Sequence, residues 1–270
     1  MRKWLIFLLV LGLLTAWVLW ANVAVEVNEW TVTSSKLPAA FEGFRIAQVS
    51  DLHNTAHWPK TVKALERAQP DIIVLTGDLI DSRNTDVDRA LEFVRDAVSI
   101  APCYYVTGNH ESRSRDWPRL RQGLIDAGVR VLEDEGCTME REGDSVTLLG
   151  LRDPDFGGDP ARVLEDLATG EGYTILLSHR PELFELYVRS GVDLVFSGHA
   201  HGGQVRIPFV GGLIAPHQGW LPEYDSGLYE RDGTAMLVSR GVGNSIIPLR
   251  INNRPEIVIV DICSGFFGEI

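Results

Sequence analysis

Arg45-Ile46-Ala47-Gln48-Val49-Ser50-Asp51-Leu52-His53 runs from a β-rich apolar stretch straight into two metal-ligating side chains. The same arrangement recurs four times. Ile72-Ile73-Val74-Leu75 leads to Gly77-Asp78-Leu79-Ile80-Asp81, and Cys103-Tyr104-Tyr105-Val106 leads to Gly108-Asn109-His110-Glu111. Tyr173-Thr174-Ile175-Leu176-Leu177 leads to Ser178-His179, and Val192-Asp193-Leu194-Val195-Phe196 to Gly198-His199-Ala200-His201. One Asp-X-His or His-X-His by itself reads as a surface turn or a satisfied core histidine. Five such segments at the ends of five predicted strands read differently, because in open α/β sheets the loop-bearing strand ends form the ligand crevice.

Carboxylate, imidazole and amide groups converging from loops suit a pair of divalent cations that must stay bound yet leave positions open for water and a phosphate oxygen. In kind and order, the five segments resemble the signature blocks of the calcineurin-like metallophosphoesterases, over roughly residues 44–262. The Gly202-Gly203-Gln204 that follows His201 and the uncharged N-terminal stretch resemble the membrane-associated bacterial branch. The resemblance implies that Asp51, His53 and His201 hold one metal and that Asn109, His179 and His199 hold the second. Asp78 would bridge the two. Cations roughly 3.5–4 Å apart acidify a shared water to hydroxide and clamp phosphate oxygens for in-line attack. Mixed nitrogen and oxygen ligands accommodate manganese, iron or zinc. His110, beside a ligand, is the expected transition-state stabiliser or proton donor, with Asp81 as its orienting carboxylate.

Several neighbours have plainer readings. Asp81 after a strand equally caps the next helix. Arg180, beside a ligand, either reaches a substrate phosphate or pairs with a surface carboxylate. His57 reads as exposed, His217, in a Gly- and Pro-rich loop, as structural or exposed, and Glu111 as a solvated neighbour.

Residues 4–25 carry no charge. At about 1.5 Å per residue, a helix of this length covers the roughly 30 Å hydrocarbon core of a bilayer. A cleaved signal peptide is the alternative, but the Ala-X-Ala-like pattern is poor around Trp20-Ala21-Asn22-Val23-Ala24. Trp4, Trp17, Trp20 and Trp30 read as interfacial anchors. Arg2 and Lys3 precede the span while Glu26 and Glu29 follow it, so the positive-inside rule places the catalytic part outside the cytoplasm. Cys103, Cys137 and Cys263 lack metal-type spacing, and Cys103 reads as core.

The division expected is a cytoplasmic basic tip (1–3), the anchor or signal peptide (4–25), a linker leading into the domain (26–42), one metallophosphoesterase domain (43–263) and a short tail (264–270). Helices are expected over 61–68, 86–98, 117–127, 161–167 and 181–189, and hairpin-like segments near 140–149 and 224–240. By similarity the fold is α/β (α+β), a four-layer αββα sandwich of two mixed β-sheets flanked by helices and preceded by an N-terminal transmembrane helix.

A net charge of −12 argues against nucleic acid as a partner, since phosphate backbones are bound through basic patches. Bound divalent cations reverse that potential locally, so a phosphorylated substrate remains compatible. Neither a Gly-rich nucleotide loop nor a Gly-X-Ser-X-Gly elbow occurs. The expectation is a membrane-anchored dimetal phosphodiesterase or phosphatase acting on a small or lipid-linked phosphorylated compound. A narrower reading by similarity, hydrolysis of UDP-2,3-diacylglucosamine, conflicts with the extracytoplasmic topology because that substrate is cytoplasmic. A non-catalytic metal-binding scaffold is the alternative of another class, set against the full complement of ligands, and a metal-dependent nuclease is disfavoured by charge.

Overall fold

The computed structural model describes residues 2–169, 172–244 and 249–265. In chain order the elements are α1 (Arg2–Ala21), β1 (Glu26–Ser34), β2 (Phe44–Val49), α2 (Trp58–Ala68), β3 (Ile72–Thr76), α3 (Val87–Val98), β4 (Cys103–Val106) and α4 (Asn109–Arg113). They continue with α5 (Trp117–Asp126), β5 (Arg130–Val131), β6 (Glu135–Arg141), β7 (Asp144–Gly150), α6 (Pro160–Leu167), β8 (Thr174–Leu177), α7 (Phe184–Ser190) and β9 (Leu194–Ser197). Four two-residue strands follow, β10 (Arg206–Ile207), β11 (Gly211–Gly212), β12 (Ile214–Ala215) and β13 (Gly219–Trp220), then β14 (Gly227–Arg231), β15 (Thr234–Val238) and β16 (Glu256–Ser264).

Two six-stranded mixed sheets face each other, ordered β1-β16-β2-β3-β4-β5 and β14-β15-β9-β8-β7-β6. Their central strands are apolar on both faces because each is covered twice. In β3, Ile72 and Val74 enter the core between the sheets, while Ile73 and Leu75 pack outward among residues of α2, α3 and α5. The second sheet places Ile175 and Leu194 inward, and Leu176 and Val195 outward in a cluster with residues of α6 and α7. The αββα sandwich follows from this alternation. The helices start where their sequences supply caps: Asp86 accepts the Arg89 N–H ahead of α3, and Asp159 accepts the Ala161 N–H ahead of α6.

Parallel pairing of β2, β3 and β4 brings their C-terminal ends to one rim, and parallel pairing of β7, β8 and β9 does the same in the second sheet. Gln48 joins the rims, its Nε2 donating to Thr76 Oγ1 at 2.9 Å and to the Ser197 carbonyl at 2.8 Å.

The N-terminal part differs from expectation. Residues 26–34 of the expected linker form β1, paired in register with β16 from Glu26↔Glu256 to Ser34↔Ser264, and Phe41 is buried between the sheets. The reason is the apolar closing strand β16, which offers β1 a hydrogen-bonding edge. Helix α1 ends at Ala21, four residues short of the expected span. Of the expected tail, residues 266–270 lie outside the described residues, as does Met1 of the basic tip.

Phe196 is fully buried between the sheets, one residue from the rim. Phe196→Ala is expected to cost about 3–5 kcal/mol, the usual price of an aromatic cavity in a core that relaxes only partly, measured by urea unfolding. A loss under 1 kcal/mol would contradict the inter-sheet packing.

Candidate metal centre

Every expected ligand lies just beyond a strand on the common rim: Asp51 and His53 after β2, Asp78 after β3, Asn109 at the start of α4 after β4, His179 after β8, and His199 and His201 after β9. The chain turns sharply there. Asp51, His53, Asp78, His199 and His201 all have positive φ, between 44° and 67°. For residues with a Cβ this left-handed conformation is costly, and such positions concentrate at functional sites. Two glycines permit the close approach of the loops. A Cβ on Gly108 would strike Asp78 Oδ1, and one on Gly198 would strike Ser50 Oγ.

The ligand atoms converge in two groups that share Asp78. In the first, His53 Nε2 lies 3.2 Å from His201 Nε2, 3.7 Å from Asp51 Oδ1 and 3.6 Å from Asp78 Oδ2, and His201 Nε2 is 3.3 Å from Asp51 Oδ1. In the second, His179 Nε2 lies 3.1 Å from His199 Nδ1 and 3.3 Å from Asp78 Oδ2. Ligands about 2.1 Å from a divalent ion stand roughly 3.0–3.4 Å apart, so these spacings fit cations at the two centres. Orphaned atoms agree: Asp51 Oδ1 and Asn109 Oδ1 are buried without a hydrogen-bond partner. His179 Nδ1 lies 2.7 Å from the Thr76 carbonyl and donates to it, which points Nε2 into the site.

Burial opposes charge throughout, and the neighbours decide each outcome. Desolvation would raise Asp51 and Asp78, yet the surrounding histidines, His201 first for Asp51 and His179 first for Asp78, hold both carboxyls down. For His179 the charge of Asp78 overcomes burial and lifts the imidazole to about 10, while burial dominates at His201 and lowers it to about 3. The site therefore keeps two buried anions beside imidazoles of very different basicity, a donor set suited to divalent cations of the first transition row.

His110 packs edge-on against the His53 ring. Its Nδ1 accepts the Ser82 backbone N–H at 3.0 Å, which places the proton of the neutral ring on Nε2. Burial lowers its pKa. Asp81 does not serve as the expected orienting carboxylate, since its Oδ1 stands 3.9 Å from His110 Nδ1 and accepts the Arg83 N–H at 2.7 Å. A carboxylate that caps its own turn is not free to turn toward the ring.

Of the two readings of Arg180, the structure shows the pairing with carboxylates. Only 3% exposed, the residue is gripped by Asp153 through two bonds of 2.6 and 2.8 Å and lies 2.9 Å from Asp155, so its donors are engaged within the protein. Its Nη1 is 2.8 Å from His217 Nδ1, which in turn lies 2.8 Å from His199 Nε2. Arg180 thus positions His199 through a histidine expected to be structural or exposed. His217, with Pro216, Asp78, His110, His199 and His201, lines a cavity of about 200 Å³ at the mouth. A larger hollow of about 410 Å³, near β1 and α2, brings no such ligands together. His57, as expected, is exposed.

Glu111 is the main residue that sequence reasoning missed. Expected in solvent, it is fully buried, and its Oε2 accepts the N–H groups of Asp78 and Gly108, each at 2.8 Å. Burial and then the charge of Asp78 push its carboxyl up to about 7, against the pull of those two amides. A signal was present: Glu111 stands at the third position of a helix opened by Gly108, where a glutamate closes a capping box.

The family model of calcineurin-like phosphoesterases matches residues 44–203. The chain is similar to YkuE, a metallophosphoesterase of Bacillus subtilis strain 168, with 31% identity over 87% of this chain and 84% of that one. A Danio rerio transmembrane protein with a metallophosphoesterase domain is 29% identical over 86% of this chain and 56% of its own length. The phosphodiesterase YaeI of Escherichia coli K12 is 26% identical over 81% of this chain and 82% of its own.

Glu111→Ala strands two buried amides, each worth about 1–3 kcal/mol when unpaired. It is expected to lower stability by about 2–5 kcal/mol in urea unfolding and to impair metal retention, whereas Glu111→Gln, which keeps a carbonyl acceptor, recovers most of both. Equal behaviour of Ala and Gln would show that the carboxylate does not hold the loops.

Proposed function

This chain belongs to the calcineurin-like phosphoesterase family and is a metal-dependent phosphoester hydrolase, and from that premise we propose that it binds two divalent ions and cleaves phosphoesters at a membrane surface. Asp51, His53 and His201 hold one ion, Asn109, His179 and His199 the other, and Asp78 serves both. The observation that carries this reading is the position of Asp78 Oδ2, within 3.6 Å of His53 Nε2 and 3.3 Å of His179 Nε2. When bound, the metals supply Lewis acidity at phosphoryl oxygens and lower the pKa of coordinated water toward neutrality. No side-chain nucleophile is needed. His110, with Nδ1 held by the Ser82 amide, presents Nε2–H as a preorganised donor toward the phosphoryl or leaving oxygen. Exposed Arg83 lines the same cavity and supplies a cation at the mouth, the task Arg180 cannot perform. The substrate class is a small or lipid-linked phosphodiester or phosphomonoester.

Helix α1 is read as an uncleaved membrane anchor. Of its residues only Ala21 is buried, and its mean hydropathy of 2.3 suits a span. Asn22, just past its end, donates to the Arg250 carbonyl at 2.9 Å and accepts the Arg250 N–H at 2.7 Å, which ties the helix exit to the domain. The transmembrane relative supports the same reading. With Arg2 and Lys3 ahead of the span and Glu26 and Glu29 behind it, the domain lies outside the cytoplasm.

The test is a pair of substitutions assayed on an aryl phosphodiester with metal content measured in parallel. Asp78→Asn is expected to lose metal and turnover together, and retention of two ions at normal rate would remove Asp78 from its shared role. His110→Asn is expected to keep the metal and lower turnover by about 10²–10³, the usual effect of removing one transition-state donor. Unchanged turnover would eliminate the donor role.

A further inference from the structure

The two small hairpins that follow His201 carry the most exposed apolar side chains of the described residues outside α1. Phe209 is fully exposed, Trp220 is 74% exposed, Leu221 61% and Val210 58%, with Ile207 and Ile214 at 42%. Solitary exposed apolar residues are ordinary, but six within fifteen residues concentrate exposed apolar surface on these hairpins, as interaction surfaces do. The hairpins are joined to each other: the Leu213 N–H donates to the carbonyls of Gly203 and Val205, and the Leu221 N–H to the Leu213 carbonyl. One lobe results, and its second tip carries Pro216 and His217 into the lining of the catalytic cavity.

The lobe is also tied to the exit of α1. The Arg206 N–H donates to the Ile251 carbonyl, Val205 bridges Ile251, and Gln204 Nε2 donates to the Leu249 carbonyl, while Arg250 between them is bound to Asn22. Sheet register gives the same placement independently. β1 is parallel to β16, which is antiparallel to β2, so β1 begins on the rim where β2 ends. Glu26 pairs with Glu256, and Val258 pairs with Gln48, which sets the start of β1 level with Ser50 and Asp51. The start of β1, five residues past the end of α1, therefore lies two strands, roughly 10 Å, from the first metal ligands, on the same rim as the apolar lobe.

We infer that the lobe formed by β10 to β13 inserts Phe209 and Trp220 into the interface of the bilayer that α1 spans, holding the catalytic mouth against the lipid headgroups. The inference rests on the anchor reading of α1 and adds a second, independent contact. Tryptophan and phenylalanine are the side chains such an interface favours. Lys60, whose Nζ donates to the Val23 carbonyl, and Arg254, stacked over the Trp20 ring at 4.9 Å, surround the helix exit with cations that match lipid phosphates. The consequence for the substrate is that phosphoesters displayed at the membrane surface reach the site without leaving the headgroup layer.

The test uses the full chain in vesicles of phosphatidylethanolamine and phosphatidylglycerol, with a fluorophore attached in turn at Leu11→Cys, Phe209→Cys, Trp220→Cys and Glu142→Cys in a Cys263→Ser background; Cys103 and Cys137 are buried. Glu142 sits in the turn between β6 and β7, at the end of the second sheet remote from the rim. Brominated lipid is expected to quench the labels at 11, 209 and 220 several-fold more than the label at 142. Quenching at 11 alone overturns the docking proposal and leaves the anchor standing, whereas no quenching at 11 removes the anchor itself. Labels at 209 and 220 shielded from aqueous iodide yet unquenched by lipid would point to a protein partner and equally overturn it. As a second measurement, Phe209→Ser with Trp220→Ser is expected to leave turnover of a soluble aryl phosphodiester unchanged and to lower turnover of a vesicle-borne phosphodiester about tenfold, and equal effects on both would count against the lobe.

Discussion

Asp78 is the residue on which the centre depends, because all four of its polar atoms are engaged by neighbours from other loops. Its N–H is accepted by Glu111, its carbonyl takes the His53 N–H, its Oδ1 takes the His110 N–H, and its Oδ2 faces His53 and His179. Backbone and side chain together fix the relative position of the loops after β2, β3 and β4 and leave Oδ2 facing the cluster of histidines, where a bound cation would meet it. Such a carboxylate has no rotational freedom to lose when ions bind. Preorganisation of this kind is what gives buried electrostatics their value, since no reorganisation is required at the moment of reaction.

Holding anions in a dry rim would be prohibitive without compensation. The compensation is distributed over both sheets. Asp51 Oδ2 accepts the His199 N–H at 3.1 Å across the inter-sheet gap, and Gln48 bonds the Ser197 carbonyl from the opposite side. Five left-handed ligand residues and the near-contacts of Gly108 and Gly198 show what the geometry demands of the backbone. That strain persists because the sandwich beneath is apolar and densely packed, and a core of this kind does not deform continuously. The stability of the layers and the accuracy of the site are thus one property.

The parts of the structure legible in the sequence are those in which a local pattern carries the long-range outcome. A buried parallel strand is an apolar run, and a side chain two to four residues beyond it reaches the rim, so the placement of Asp51, His53, Asp78, Asn109, His179, His199 and His201 is legible locally. That of β1 and β16 is not, because their pairing joins residues more than two hundred positions apart and nothing in Glu26–Ser34 reveals which edge it will meet. Charged side chains are harder to place. Glu111 reads as a solvated neighbour and Arg180 as a contact either of phosphate or of a surface carboxylate, yet both are buried where partners satisfy them: two amides for one and Asp153 for the other. Those partners belong to other loops, which local sequence cannot supply. His217 is exposed, as its Gly- and Pro-rich loop suggests, but its contact with His199 comes from another loop and has no local signal.

An acidic chain that handles an anionic substrate appears to work against itself until the distribution of charge is considered. The formal charge of −12 keeps the whole molecule from binding polyanions indiscriminately, while cations held by Asp78 and its neighbours would dominate the potential within a cavity of about 200 Å³. Selectivity must then come from what surrounds that cavity rather than from the metals, which treat one phosphoryl group much like another. The loop after His201 contributes one wall, bringing Pro216 and His217 to that cavity. Its backbone is bonded to the rim, Ala215 packs into the outer core of the second sheet and His217 reaches His199, while Phe209, Val210 and Trp220 stand exposed. Chemistry is in this way assigned to strand ends fixed by both sheets, and the lobe after His201 serves it twice, holding His199 through His217 and walling the cavity with Pro216.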